Sequence, residues 1–440
     1  MRNFFKKDGL LDNYFEITKS GSTTKTECVA GLTTFMTMAY ILIVNPSILA
    51  AAGMNQGAVF TATALSALVA TLLTGLYAKL PFAQAPGMGL NAFFAFTVVV
   101  GMGYSYQFAL TAVFLEGIVF ILLTLFNVRE AIVDSIPDCI KKGISVGIGL
   151  LIALIGLEGA GIVIHPKDGG TIVALGNITK GAGLLAIVGL IITAILLAKN
   201  VKGALFFGMM ITAIIGIPFG LTPMPKALMS APPSISSVLF DFEWNNIFSI
   251  DMVIVLFTLL FMDLFDTIGT LVGVATKAKM LDKNGKVPNI KKALLSDAIG
   301  TTFGACVGTS TVSTFVESAA GVAEGGRTGL TAVVTALMFG LSLFFAPIFA
   351  SITPAVTASA LILVGLFMIE PIREINLEDY TESIPAFLTM IMMPFSYSIS
   401  DGIIFGVISY ILLKLFTGKW KQISITTVII GFVFILKFLV

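Results

Sequence analysis

Residues 308–321, GTSTVSTFVESAAG, are too short and too interrupted by hydroxyl-bearing and small residues to cross a membrane as an ordinary helix. They run on into GVAEGGRTG, and residues 84–96, QAPGMGLNAFFAF, are broken by Gly and Pro in the same way. A continuous helix satisfies its own backbone. An interrupted one exposes N–H and C=O groups that hydrocarbon cannot satisfy, so it must line a protein-walled cavity. Paired breaks at matching positions of two halves point to a substrate site near the bilayer midplane. The alternative is that the glycines only permit close helix packing.

Around these breaks the chain is almost continuously apolar. Of its 440 residues 57% are hydrophobic and 12% charged, far outside the soluble range, so an all-α polytopic membrane protein is expected. About fourteen spans are read, at 29–50, 57–78, 86–100, 104–126, 143–164, 182–198 and 202–220, then 250–275, 291–305, 309–322, 327–349, 355–370, 383–395 and 399–416. The Pro-rich stretch 221–237, LTPMPKALMSAPPSISS, separates the two sets. Seven crossings per half is odd, so the halves face opposite ways as a 7+7 inverted repeat, with the breaks in spans 3 and 10. The expected layout is an N-terminal segment 1–26, a first repeat 27–220, a linker 221–249, a second repeat 250–417 and a C-terminal apolar stretch 418–440. Sequence alone does not place residues 423–440.

Of 26 Lys and Arg, 22 fall in loops that follow an even number of crossings, and only Lys167, Lys180 and Lys226 in the others. This positive-inside bias puts the N-terminus in the cytoplasm of a multi-pass plasma-membrane protein. No cleavable leader is read before Thr26. With a net charge of +1 and no basic patch, nucleic acid is not an expected partner. Cys28, Cys139 and Cys306 are too scattered for a thiolate site, and His165 is read as a solvated loop residue. No metal site is expected. The absence of a G-x-x-x-x-G-K-[ST] string argues against an ATP-driven pump, and no nucleophile motif supports an enzyme.

The chemistry lies in intramembrane acids, which are costly and usually functional. In residues 256–274, LFTLLFMDLFDTIGTLVGV, Asp263 and Asp266 are three apart and so on neighbouring positions of one helix face, which Thr267 and Thr270 extend. Glu317 follows Thr314 by three, the capping-box spacing, and is read both as a helix start and as a cavity carboxylate. Ser310, Thr311, Ser313 and Ser318 add hydroxyls, and Asn91 adds a neutral amide. Glu116 is open between a proton relay and a bond to a neighbouring helix, while Glu158 is expected to be solvated. Phe93, Phe94 and Phe315 flank the breaks where a flat ligand could stack. With no Lys or Arg expected inside a span, the cavity favours a cation or a neutral molecule rich in N–H donors, and protons are the natural coupling ion. The proton-coupling candidates are Asp263, Asp266, Glu317 and Glu116.

Five stretches carry a resemblance: TTFMTMAYILIVNPSIL (33–49), AQAPGMGLNAFFAF (83–96), FMDLFDTIGTLVGVATKAK (261–279), GTSTVSTFVESAAG (308–321) and IMMPFSYSISDGI (391–403). Together they resemble the AzgA-like branch of the nucleobase:cation symporter-2 family, proton-coupled permeases for adenine, hypoxanthine and guanine. The resemblance implies fourteen helices in two inverted sevens. It also implies a core domain of spans 1–4 and 8–11, a gate domain of spans 5–7 and 12–14, and short strands in spans 3 and 10. It places Asp266 and Glu317 at the nucleobase, with Asp263 and Asn91 tied to purine recognition. Thr267, Ser318 and Phe94 complete the expected substrate-binding set. Where related uracil carriers have a histidine one turn after the eighth-span acid, Thr270 stands here, so the acids alone would carry the proton. The expected partners are a purine nucleobase and the lipid bilayer, with a homodimer left open and no cofactor beyond the proton. The rival reading is a sulfate- or bicarbonate-type anion exchanger or channel on the same fold.

Overall fold

The computed structural model describes residues 9–125, 137–166, 173–225, 227–277, 280–281, 287–424, 427–428 and 431. Several loop cations used above, among them Arg129, Lys167, Lys226 and Lys283, lie outside the described residues. The spans follow in chain order as Thr24–Ala51 (1), Gln56–Ala78 (2), Met88–Gly101 (3), Tyr106–Leu125 (4), Asp138–Gly159 (5), Gly181–Ala198 (6) and Ala204–Gly216 (7). The second set is Ile250–Lys277 (8), Ile290–Val307 (9), Ser318–Ala323 (10), Gly329–Ala350 (11), Pro354–Met368 (12), Tyr380–Ser396 (13) and Ile399–Phe416 (14). Among the described residues eight helices are long and apolar enough to cross a membrane on their own.

Four short strands accompany them: β1 (Gln84–Pro86), β2 (Val163–Ile164), β3 (Ala174–Leu175) and β4 (Val312–Thr314). β2 and β3 form a small hairpin beyond span 5. β1 and β4 come from the two broken segments and pair antiparallel, Gln84 opposite Thr314, Ala85 opposite Ser313 and Pro86 opposite Val312. The chemistry of residues 308–314 explains the strand. Gly308, at φ +94, ends span 9 in the left-handed conformation that glycine tolerates, and the β-branched run that follows suits an extended chain. The ladder continues through Gly87 N–H to Thr311 O and Phe315 N–H to Ala83 O, both 3.0 Å.

Spans 1–4 and 8–11 pack chiefly on one another, as do spans 5–7 and 12–14. The packing is also paired by exchanging each span with the one seven places on. Span 11 lies on span 1 as span 4 lies on span 8, and span 9 on span 4 as span 2 on span 11. Span 12 likewise lies on span 6 as span 5 on span 13, while spans 2 and 9, 5 and 12, and β1 and β4 meet their own counterparts. A 7+7 inverted repeat produces this pattern, and the fold is the expected one.

Three local readings are corrected. Span 1 is two helices, Thr24–Met38 and Ile41–Ala51, joined at Ala39–Tyr40, with Pro46 inside the second. Basic residues do lie inside spans: Lys141 and Lys142 in the first turn of span 5, Lys291 and Lys292 in that of span 9, and Lys414 in the last turn of span 14, where Lys414 is 1% exposed. It is accommodated by Glu382 at 3.3 Å and Gln422 at 2.7 Å. Glu158 accepts a hydrogen bond from the Tyr397 hydroxyl and pairs with His165 Nε2 at 2.9 Å, so it is engaged rather than simply solvated. Of the unplaced C-terminal stretch, Gly431 backs onto Ile411 and Val407 of span 14.

Candidate functional site

Side chains alternate across a strand, so β4 presents successive residues to opposite faces. Ser313 turns one way and donates to Asp266 Oδ2 at 2.7 Å. Thr314 turns the other way and meets Gln84, its cross-strand partner, at 3.2 Å. The strand pair thereby separates two groups of acids.

On the front face stand Asp266 and Glu317, whose carboxylates are within electrostatic range of each other. Asp266 is exposed and Glu317 half-buried. Glu317 Oε1 accepts from the Tyr40 hydroxyl at 2.6 Å, which brings the kink of span 1 to the site. Along span 8, Asp266, Gly269 and Gly273 are all exposed, and a Cβ at either glycine would meet nothing within 4 Å. At 100° per residue these positions share one stripe, so an exposed face of span 8 runs from Asp266 toward Lys277. Between span 3 and the turn joining spans 13 and 14, the Phe96 and Tyr397 rings meet at 6.3 Å, and Ile399 N–H donates to Thr97 Oγ1 at 3.2 Å.

On the rear face Asp263, Thr267, Asp297, Gln84 and Thr314 form a buried cluster. Thr267 Oγ1 lies 3.2 Å from Asp263 Oδ1 and 3.0 Å from Asp297 Oδ1. Gln84 Nε2 donates to the same Asp297 oxygen at 3.3 Å. Asp263 and Asp266, neighbours on one helix face, are thus divided by the strands into different environments.

The remaining expected residues sit around this frame. Asn91 is buried, with Oδ1 accepting from Ser310 and Nδ2 without a hydrogen-bond partner. Glu116 accepts from Thr311 at 2.6 Å, a bond between span 4 and the broken segment. Ser318 accepts from Ala83 N–H at 3.0 Å and ties β1 to the start of span 10. Phe93, Phe94 and Phe315 are all buried in the apolar core. The capping box does not form. Span 10's helix starts at Ser318 with no side-chain cap, because Thr314 Oγ1 faces Gln84 and Glu317 faces Tyr40.

Sequence reasoning missed Asp297, Tyr40 and Gln84. Asp297 lies within a span, in KKALLSDAIGTTFGACV, and the argument applied to Asp263 would have found it. Tyr40 and Gln84 carry no comparable signal, because only the tertiary fold brings them to acids more than 200 residues away.

The comparisons agree with this architecture. The chain is 44% identical to the guanine/hypoxanthine permease PbuG of Bacillus subtilis, over 98% of this chain and 99% of that one. It is 42% identical to the adenine permease AdeQ of Escherichia coli, over 98% and 96%. It is 47% identical to the putative permease MJ0326 of Methanocaldococcus jannaschii, over 97% and 98%. Its fold matches the transmembrane domain of a cyanobacterium bicarbonate transporter, BicA, with a TM-score of 0.64 at 17% identity, covering 87% of this chain and 97% of that one. The Permease family model (Xan_ur_permease) matches residues 25–405, and the chain belongs to that family of membrane transporters.

Proposed function

We propose that this permease imports purine nucleobases, adenine, hypoxanthine or guanine, across the plasma membrane by proton symport. The observation that carries the reading is the front-face site. Asp266 and Glu317 stand together beside the paired strands of two broken segments, held by Ser313 and Tyr40, with Asp266 exposed. Purines are flat and edged with N–H donors that carboxylates accept from. Relatives named as adenine and guanine/hypoxanthine permeases, aligned over nearly the whole chain, support the same substrate class.

In this reading spans 1–4 and 8–11 are the core that carries the site and spans 5–7 and 12–14 the gate. The N-terminus and the Lys277 end of span 8 are cytoplasmic, so the exposed stripe on span 8 runs from Asp266 toward the inner side. A carboxyl takes up a proton from outside, the site orders around its cargo, and both leave inside after core and gate move past each other. The fold alone would also suit an anion carrier such as BicA. Two carboxylates at the centre of the site disfavour anionic cargo.

The test is accumulation of labelled adenine and hypoxanthine in vesicles with an imposed pH gradient, each competed by unlabelled bases. Accumulation undiminished when the gradient is collapsed would end the proton-coupling reading. Failure to transport any purine would end the substrate assignment.

A further inference from the structure

Behind the strands, the Thr267 hydroxyl has more neighbours than one ionisation state allows. A hydroxyl offers one hydrogen and two lone pairs. One lone pair of Thr267 Oγ1 accepts from Thr314 N–H at 3.3 Å. The hydrogen and the other lone pair are left for Asp263 Oδ1 at 3.2 Å and Asp297 Oδ1 at 3.0 Å. Two carboxylates would compete for the single hydrogen. One carboxylate and one carboxylic acid satisfy the oxygen completely.

We propose that Asp263 and Asp297 hold one proton between them through Thr267, as a proton-binding site separate from the nucleobase site in front of β1 and β4. The resting arrangement runs from the Asp263 carboxylic acid, donating to Thr267 Oγ1, to the Thr267 hydroxyl, donating to the Asp297 carboxylate. Gln84 sets this direction, because its Nε2 also donates to Asp297 Oδ1 and favours the charge there. The Gln84 side chain is itself fully buried, and its Oε1 has no hydrogen-bond partner. Loss of the proton leaves two like charges around one hydroxyl, which the buried cluster stabilises poorly.

β1 and β4 transmit the state of the pair to the cargo. Thr314 N–H binds Thr267, and the next residue back, Ser313, binds Asp266. A shift of β4 by the rear cluster therefore moves the partner of the front carboxylate. Among other groups on the elements around the pair, Asp266 and Glu317 lie on the opposite face, and Glu116 is bonded to Thr311. Lys79, Lys291 and Lys292 are exposed at the ends of their elements. This proposal rests on the proton-symport reading above and names the carrier of its proton.

The test uses purified protein in liposomes with a trapped pH dye, measuring protons and labelled adenine or hypoxanthine moved in the same preparation. Asp297→Asn should cut protons moved per purine at least severalfold while exchange of internal for external purine continues; Thr267→Val should lower the same proton-to-purine ratio, and Thr267→Ser should restore it. Infrared difference spectra should show one carboxylic-acid carbonyl band at neutral pH in the parent protein, lost in both Asp263→Asn and Asp297→Asn. The infrared readout decides the matter if a variant fails to transport. A parent protein that moves purine without protons overturns the symport reading and this site with it. A coupled parent protein whose coupling and carbonyl band both survive in Asp297→Asn overturns the shared proton alone.

Discussion

The Tyr40 hydroxyl donates to Glu317 Oε1 across 2.6 Å, so the kink of the first span fixes a carboxylate in the tenth segment. Tyr40 is 1% exposed and has little room to move. A hydrogen bond to a charged group is worth about 1.5–3 kcal/mol. Tyr40→Phe should therefore weaken half-maximal uptake by about tenfold to a hundredfold at unchanged protein level. Saturation kinetics of purine uptake, beside an immunoblot of membranes, measure this. Unaltered kinetics would mean that Glu317 does not need this partner.

Removing the front acids tests the site directly. Asp266→Asn and Glu317→Gln keep size and shape but remove the charge that receives purine N–H groups. Each should reduce uptake to near background while the protein remains in the membrane. Asp263→Asn, behind the strands, should retain binding in an equilibrium assay even where accumulation fails. Normal uptake in both front variants would remove the site.

Gly87 follows β1 and lies against β4. A Cβ there would stand 2.6 Å from Ser313 Oγ and 2.9 Å from Leu90 Cδ1. The serine hydroxyl can give way, but only by leaving Asp266. Gly87→Ala should therefore resemble Ser313→Ala, with a severalfold loss of uptake and normal folding by size-exclusion profile. Different behaviour of the two would show that the glycine acts through something other than Ser313.

The repeat and the breaks were legible because they depend on local composition. Apolar runs give spans and the odd number of spans gives inversion, while the strands in spans 3 and 10 were expected only from the family resemblance. Asp266 and Glu317 were legible because an acid in a span is conspicuous. Which face each acid would occupy was not. Asp263 and Asp266 differ by about 300° around span 8, which a helical wheel treats as adjacent. The strand pair inserted between them comes from residues 84–86 and 312–314, and only tertiary pairing reveals it. The capping-box reading failed for a related reason. Thr314 and Glu317 had stronger partners in Gln84 and Tyr40, from distant parts of the chain.

At the expected cytoplasmic end, Asp379 caps span 13 and accepts from Lys419 Nζ at 2.7 Å. The Lys419 hydrogen bond, aided by Thr381, holds the Asp379 carboxyl well below the usual carboxylate range. A carboxyl lowered on folding contributes stability that is full above its unfolded value, about 3.9, and is lost as pH falls through its folded value. Asp379→Asn keeps a capping acceptor and removes the charge. The difference in melting temperature between parent and variant in detergent should be flat from about pH 5 to 8 and narrow below about pH 4. A difference that changes between pH 6 and 8 would assign the effect to another group.

In the proposed reading, the exposed stripe along span 8 gives the direction in which this conformation is open. Gly273 is exposed two turns beyond Asp266, and a side chain there would meet nothing within 4 Å. A cysteine at this position is therefore tolerated and, in the proposed reading, reachable from the Lys277 end. With Cys28, Cys139 and Cys306 replaced by Ser or Ala, Gly273→Cys should react with a charged, impermeant thiol reagent in inside-out vesicles. It should react much more slowly in intact cells. A saturating purine gradient that drives the carrier outward-facing should slow labelling from the inside. Faster labelling from the outside than from the inside would reverse both the topology and the assignment of the open end.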